Sequence, residues 1–257
     1  MNELTPQNTY QTPERNISWV ARMAPTLVFH TKNIGVVIRA ARLSRHGNYT
    51  GEEWTQSSLD VTGALESVGV RVTVENLHAF RDIDGPCVFI ANHMSTLETF
   101  VLPCLIRPYR RVTFVVKESL VTYPFFKHVM ISRNPIVVGR SNPREDLRIV
   151  LEQGEQRLRS SVSVVVFPQT TRIARFDERQ FNSMGVKLAK RCNVPVVPVA
   201  LKTDAWGVGK WIKDFGKIDP AKSARIAFGN PIEVAGSGKE AHQTVISFIK
   251  NNLAAWA

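Results

Sequence analysis

Seven short apolar runs, separated by stretches whose apolar residues recur at helical spacing, constrain this chain more than any other feature. Residues 70–74, 87–91, 111–117, 135–138, 162–167, 194–201 and 224–229 are rich in Val, Ile and Phe and of strand length. Between or around them, 51–68, 99–106, 124–130, 142–159, 182–191 and 240–255 read as helices, the 142–159 segment opening with Pro143 in its first turn. An earlier helical region, 17–45, is interrupted at Pro25, which ends or kinks the first helix. Strand–helix alternation of this kind predicts an α/β fold, a mixed, largely parallel sheet flanked by helices. The run 194–201 carries Pro195 and Pro198, which predicts a place near a sheet edge. Residues 202–222 read mostly as loop.

Length allows one large domain, or a domain plus a small appendage, with a sizeable core. Residues 1–14 are polar, contain Pro6 and Pro13, and are expected to form a loose leader. Residues 15–69 form an N-terminal helical region, and 70–257 the α/β domain.

Charge narrows the partners. Lys and Arg number 33 against 22 Asp and Glu, a net charge of +11, so an anionic partner is expected: nucleic acid, an acidic membrane surface or a phosphorylated substrate. In 17–45, Trp19, Leu27, Val28, Phe29, Ile34 and Ile38 are interspersed with Arg22, Lys32, Arg39, Arg42 and Arg45. An interfacial helix has this composition, its cations meeting headgroups and its apolar face the acyl boundary. An ordinary packed helix with solvated arginines is the competing reading. No uninterrupted apolar run reaches the roughly 18 residues a spanning helix needs. Three scattered cysteines, Cys87, Cys104 and Cys192, suggest neither a disulfide framework nor a metal site and fit a reduced compartment. No secretory signal opens the chain. The expected location is cytoplasmic, peripheral on the inner face of the membrane.

Candidate chemistry starts at Ala91-Asn92-His93-Met94-Ser95-Thr96-Leu97-Glu98. His93 stands where a strand hands over to a helix, the sheet edge at which such folds place ligands. Glu98 follows about one helical turn later, where a carboxylate can fix the imidazole tautomer and leave the second nitrogen basic. Ser95-x-x-Glu98 also fits a capping box, in which Glu98 is structural. Lys117 and Arg140 each stand at the end of a predicted strand. Phe167-Pro168-Gln169-Thr170-Thr171-Arg172 ends the most continuous apolar run with hydroxyls and a guanidinium, the makings of a phosphate cradle. The apolar run 194–201 could wall an acyl pocket.

Taken together, Asn92-His93 with Glu98, Lys117 with Arg140, Phe167-Pro168 with Thr171-Arg172, and Val194-Pro195 with Pro198-Val199 resemble the four ordered motifs of the lysophospholipid acyltransferase (PlsC-like) family. The resemblance spans about residues 85–201. It implies the glycerolipid acyltransferase fold with a membrane-facing N-terminal segment, and acyl transfer from acyl-CoA or acyl-carrier protein to a lysophospholipid, lysophosphatidic acid foremost. His93 would be the general base oriented by Glu98; Lys117, Arg140, Gln169, Thr170, Thr171 and Arg172 would bind substrate. No cofactor is implied beyond the thioester co-substrate, and no metal. Expected partners are the two substrates, an anionic membrane surface and, for that donor, acyl-carrier protein; nucleic acid is not expected. This chain departs from the motifs in having Glu98 for aspartate, Gly139 before Arg140, and Gln169-Thr170 for Glu-Gly. Two other readings stay open: a non-catalytic anionic-lipid binder on the same fold, and an acyl-thioester hydrolase. No G-x-S-x-G elbow is present, and Gly236-Ser237-Gly238-Lys239 is no P-loop, with Glu233 and Glu240 at two required positions.

Overall fold

A computed structural model describes residues 8–123, 127–169, 171–209 and 212–257. In chain order its elements are β1 (Tyr10–Gln11), α1 (Trp19–Met23), α2 (Pro25–Arg45), α3 (Gly51–Glu66), β2 (Val72–Glu75), β3 (Val88–Ala91), α4 (Leu97–Ile106) and β4 (Val112–Lys117). There follow α5 (Glu118–Thr122), α6 (Lys127–Ser132), β5 (Ile136–Val138), α7 (Pro143–Arg159), β6 (Ser163–Val166), α8 (Met184–Cys192), β7 (Val196–Lys202), β8 (Ala224–Phe228) and α9 (Lys239–Ala255). One eight-stranded sheet runs β1-β2-β8-β7-β3-β6-β4-β5. Strands β3 to β7 are mutually parallel, and β8 joins β7 antiparallel. The sheet is therefore mixed and largely parallel, as expected.

Parallel pairing has one consequence for the site: the C-terminal ends of β3, β4, β5, β6 and β7 lie on one edge. Both faces of these strands are covered, which is why they read as continuous apolar runs. Side chains alternate between two cores. Phe89, Ala91, Val165, Val197 and Val199 pack with Phe29 of α2, Leu65 of α3 and Leu102 of α4. Val88, Ile90, Val164, Val166 and Val196 pack with Val150 of α7, Leu188 of α8 and Val245 of α9.

Two expectations need correcting. The strand carrying Pro195 and Pro198 is central, hydrogen-bonded to β3 on one side and β8 on the other. Its proline is tolerated because the register places Pro198 opposite Gly229, just past the end of β8, so the missing N–H falls where that ladder stops. The Pro198 carbonyl still accepts from Gly229 N at 2.8 Å, and a Cβ at Gly229 would stand 3.1 Å from the proline ring. The polar leader is not loose over its described part. Tyr10 and Gln11 pair with Val74 and Thr73, and buried Glu66 accepts from Tyr10 Oη at 2.5 Å and Thr12 Oγ1 at 2.8 Å. Burial and the Glu66 hydrogen bond push the Tyr10 phenol well above its usual range. The helix expected at 124–130 is found as α6; residues 124–126 lie outside the described residues.

Pro25 starts α2 at its first turn after the break at Ala24. No helix among the described residues is long and apolar enough to cross a membrane.

Candidate active site

The site is built where β3 ends. Asn92 extends the strand through its side chain: Oδ1 accepts from Leu201 N at 2.8 Å and Nδ2 donates to Leu201 O at 2.7 Å. This clamps the His93 loop to β7. His93 Nδ1 contacts Glu98 Oε2. The Glu98 side chain is fully buried, so its charge must be met by donors. Its Oε1 accepts from Met94 N at 2.8 Å, from Ser95 N at 2.9 Å, and from the Thr203 hydroxyl. An ionised carboxylate can only accept, so in the neutral imidazole the proton sits on Nδ1 and the lone pair on Nε2. Among the described residues Nε2 has no hydrogen-bond partner. One oxygen of Glu98 thus holds the amides just before α4 and the other contacts His93; the reciprocal half of a capping box is not formed, since the Ser95 hydroxyl accepts from Leu97 N at 3.1 Å.

The β6 end supplies the second wall. Phe167 stacks on His93, ring centroids 4.4 Å apart and planes 21° from parallel. This limits how the imidazole can turn. Gln169 is buried, and its Oε1 accepts from His93 N at 2.6 Å. Ile173 N donates to His93 O at 3.0 Å. Arg172 Nη1 donates to Thr96 Oγ1 and, at 2.8 Å, to Asp214 Oδ1. Gln169 and the 171–173 segment therefore lie alongside the His93 loop, which brings Arg172 to it.

The other expected residues are placed less uniformly. Lys117 is exposed at the C-terminal end of β4, on the same edge as His93. Arg140 lies two residues past β5 and is committed partly to the loop: Nη1 donates to Gln169 O at 2.8 Å. Its backbone is left-handed (φ 61°), held by Asp146 Oδ1, which accepts from Gly139 N at 3.1 Å and Arg140 N at 3.2 Å. Burial pulls its guanidinium below the usual range, with Asp146 opposing. Thr171 is exposed; Thr170 lies outside the described residues. Sequence reasoning missed Thr203, Asp214 and the hydroxyl of Thr96. Thr96 sat inside the quoted motif, but Thr203 and Asp214 carried no local signal.

The cysteines are not poised as nucleophiles. Burial pushes the thiols of Cys87 and Cys104 up to about 11, so both are protonated at neutral pH.

Fold and site define an α/β protein with a histidine–carboxylate pair at the strand-end edge, open at Nε2 and flanked by cations. The chain belongs to the acyltransferase family, whose pattern it matches over residues 71–202. It is 29% identical over 191 residues to the 1-acyl-sn-glycerol-3-phosphate acyltransferase of Pseudomonas aeruginosa, covering 74% of this chain and 69% of that one. It is 26% identical over 166 residues to human 1-acyl-sn-glycerol-3-phosphate acyltransferase beta, covering 65% of this chain and 59% of the human one. A Cocos nucifera 1-acyl-sn-glycerol-3-phosphate acyltransferase is 27% identical over 114 residues, 44% of this chain and 36% of its own length. The chain thus spans less than two thirds of the human and coconut relatives. Its fold matches the crystal structure of the 1-acyl-sn-glycerophosphate (LPA) acyltransferase, PlsC, from Thermotoga maritima, with a TM-score of 0.67 at 17% identity over 92% of this chain and 96% of that one.

Proposed function

We propose that this acyltransferase moves a fatty acyl group from a thioester, acyl-CoA or acyl-carrier protein, to the free hydroxyl of lysophosphatidic acid, forming phosphatidic acid. The observation that carries the reading is the His93–Glu98 pair, its Nδ1 side filled and its Nε2 side open. An alcohol is far too weak an acid to ionise at neutral pH, so attack on a thioester needs a base in hydrogen-bond reach. Nε2 takes the hydroxyl proton as the oxygen bonds to the thioester carbon, and Glu98 stabilises the imidazolium. When the C–S bond breaks, the imidazolium returns its proton to the leaving thiolate. Arg172, Thr171 and Lys117 bind the acceptor phosphate, Arg172 through a charge-assisted contact. Arg140 and Gln169 act mainly by support, Arg140 holding the Gln169 carbonyl and Gln169 holding the His93 amide.

Membrane docking belongs to the same reading. Trp19 and Met23 of α1 and Leu27 of α2 are 75%, 70% and 69% exposed, and Arg22, Lys32, Arg39, Arg42 and Arg45 lie on the same two helices. Large exposed apolar side chains beside cations suit an anionic bilayer surface, where the acceptor resides.

Purified protein with labelled long-chain acyl-CoA or acyl-carrier protein and a panel of lysophospholipids tests the reaction. Diacyl product from lysophosphatidic acid is expected, falling about 10²–10⁴-fold in a folded His93→Ala variant. Product that persists in the variant removes His93 as base; no product from either donor overturns the transfer reading.

A further inference from the structure

Asp214 stands outside the 71–202 segment that matches the family pattern, on a connection with no helix or strand among its described residues, yet it reaches the proposed acceptor site. Its Oδ1 accepts from Arg172 Nη1 at 2.8 Å and from Thr96 Oγ1 at 2.8 Å, while Thr96 Oγ1 in turn accepts from the same Nη1. Thr96 lies on the His93 loop, Arg172 on the β6 loop and Asp214 on the β7–β8 connection, so three segments close on one guanidinium nitrogen.

That connection is firmly based. Its two arms pair as a narrow ribbon: Asp219 N donates to Ala205 O at 2.9 Å, Gly207 N to Lys217 O at 2.9 Å, and Gly209 N to Lys213 O at 3.1 Å. A side chain at Gly216 would place Cβ 1.6 Å from the Gly207 carbonyl oxygen, so the glycine permits the approach. The ribbon is also tied to α2. His30 Nε2 donates to Gly216 O at 2.8 Å, and Ile218 N donates to Thr26 Oγ1 at 3.0 Å. Trp206 is buried against Phe29, ring centroids 4.8 Å apart. Asp214 is therefore presented from a braced support.

We propose that Asp214, with Thr96, is a positioning residue for the acceptor-phosphate contact of Arg172. The inference rests on the functional reading above. Both anchors hold Nη1. Among the described residues the Nε and Nη2 donors make no other hydrogen bond, which leaves that edge of the fork for two phosphate oxygens. An arginine has several rotatable bonds, and a bidentate contact is worth most when the fork is already oriented. A carboxylate beside an anion site would be counterproductive if it merely competed for the guanidinium. The Thr96 bridge gives it a different part, tethering the phosphate-binding side chain to the loop that carries the base.

The opposite hypothesis makes the opposite prediction. If Asp214 competes with the phosphate, removing its charge strengthens acceptor binding. Asp214→Asn keeps the shape and removes the charge at a side chain that is 38% exposed, so folding should survive. With wild type, Asp214→Asn, Asp214→Glu and Thr96→Val, acceptor KM, donor KM and kcat would be measured for lysophosphatidic acid. Binding of a short-chain, water-soluble lysophosphatidic acid would be followed by calorimetry. Asp214→Asn is expected to raise acceptor KM and calorimetric Kd about tenfold, with donor KM unchanged; Asp214→Glu recovers part of it, and Thr96→Val moves in the same direction. An unchanged or lowered acceptor KM and Kd in Asp214→Asn overturns the inference. Absence of turnover by wild type instead overturns the proposed reaction, and the binding measurements then decide the role of Asp214 separately.

Discussion

At Glu98 a single carboxylate serves two neighbours that local sequence reasoning set against each other. Oε1 takes the amides of Met94 and Ser95 together with the Thr203 hydroxyl, and Oε2 takes His93 Nδ1. A group without solvent access carries its charge only if every donor stays in place. Thr203→Val is nearly isosteric and removes one donor to this buried anion, so the unfolding free energy is expected to drop by about 1.5–3 kcal/mol. Denaturant titration of wild type, Thr203→Val and Thr203→Ser checks it; valine at wild-type stability would show that the hydroxyl is not holding Glu98. His93, Glu98 and Arg172 were legible because each sits in a short motif whose spacing carries the geometry. Thr203 was not, since it lies 105 residues from Glu98 and meets it only through the β3–β7 pairing.

Among the elements, the start of α8 shows how closely the far face supports the site. Gly185 is buried beside the β3 and β6 strands, and a Cβ there would stand 2.7 Å from Ile90 Cδ1, 2.8 Å from Ile90 Cγ1 and 3.5 Å from Val166 Cβ. Ile90 lies three residues before His93. Gly185→Ala is expected to cost about 1–3 kcal/mol through overpacking. Thermal unfolding measures it, and a variant as stable as wild type would mean that the sheet yields without strain. Strand and helix order was readable from the apolar runs. The position of β7 was not, because two prolines signal an edge unless the partner strand ends opposite one of them, as β8 does before Gly229.

For the molecule as a whole, Trp19, Met23 and Leu27 of the N-terminal helices are the most exposed of the large apolar side chains among the described residues. Replacing all three by alanine should leave thermal stability unchanged, since none contributes to a core. Binding to anionic vesicles should weaken at least about tenfold, given roughly 1.5–3 kcal/mol for each large apolar side chain fully buried. Vesicle sedimentation at low and high salt would read both contributions, because raising ionic strength weakens the cationic part alone. Full binding by the triple variant would move the docking surface elsewhere. The second of these helices, α2, braces the ribbon that carries Asp214, through His30, Thr26 and Phe29, so the proposed membrane face and acceptor site share a framework.

Sequence alone determined the layered α/β class, the order of its elements, and the place of the histidine–carboxylate pair at a strand end. These depend on periodicities of two and 3.6 residues and on spacings within one turn, all of which are local. Only the tertiary structure decided which strand is central, that Arg140 partly holds Gln169, that Asp214 meets Arg172 and that Thr203 meets Glu98. Those facts depend on contacts between segments far apart in the chain, and strand pairing and helix packing bring such segments together without leaving a mark in any short stretch.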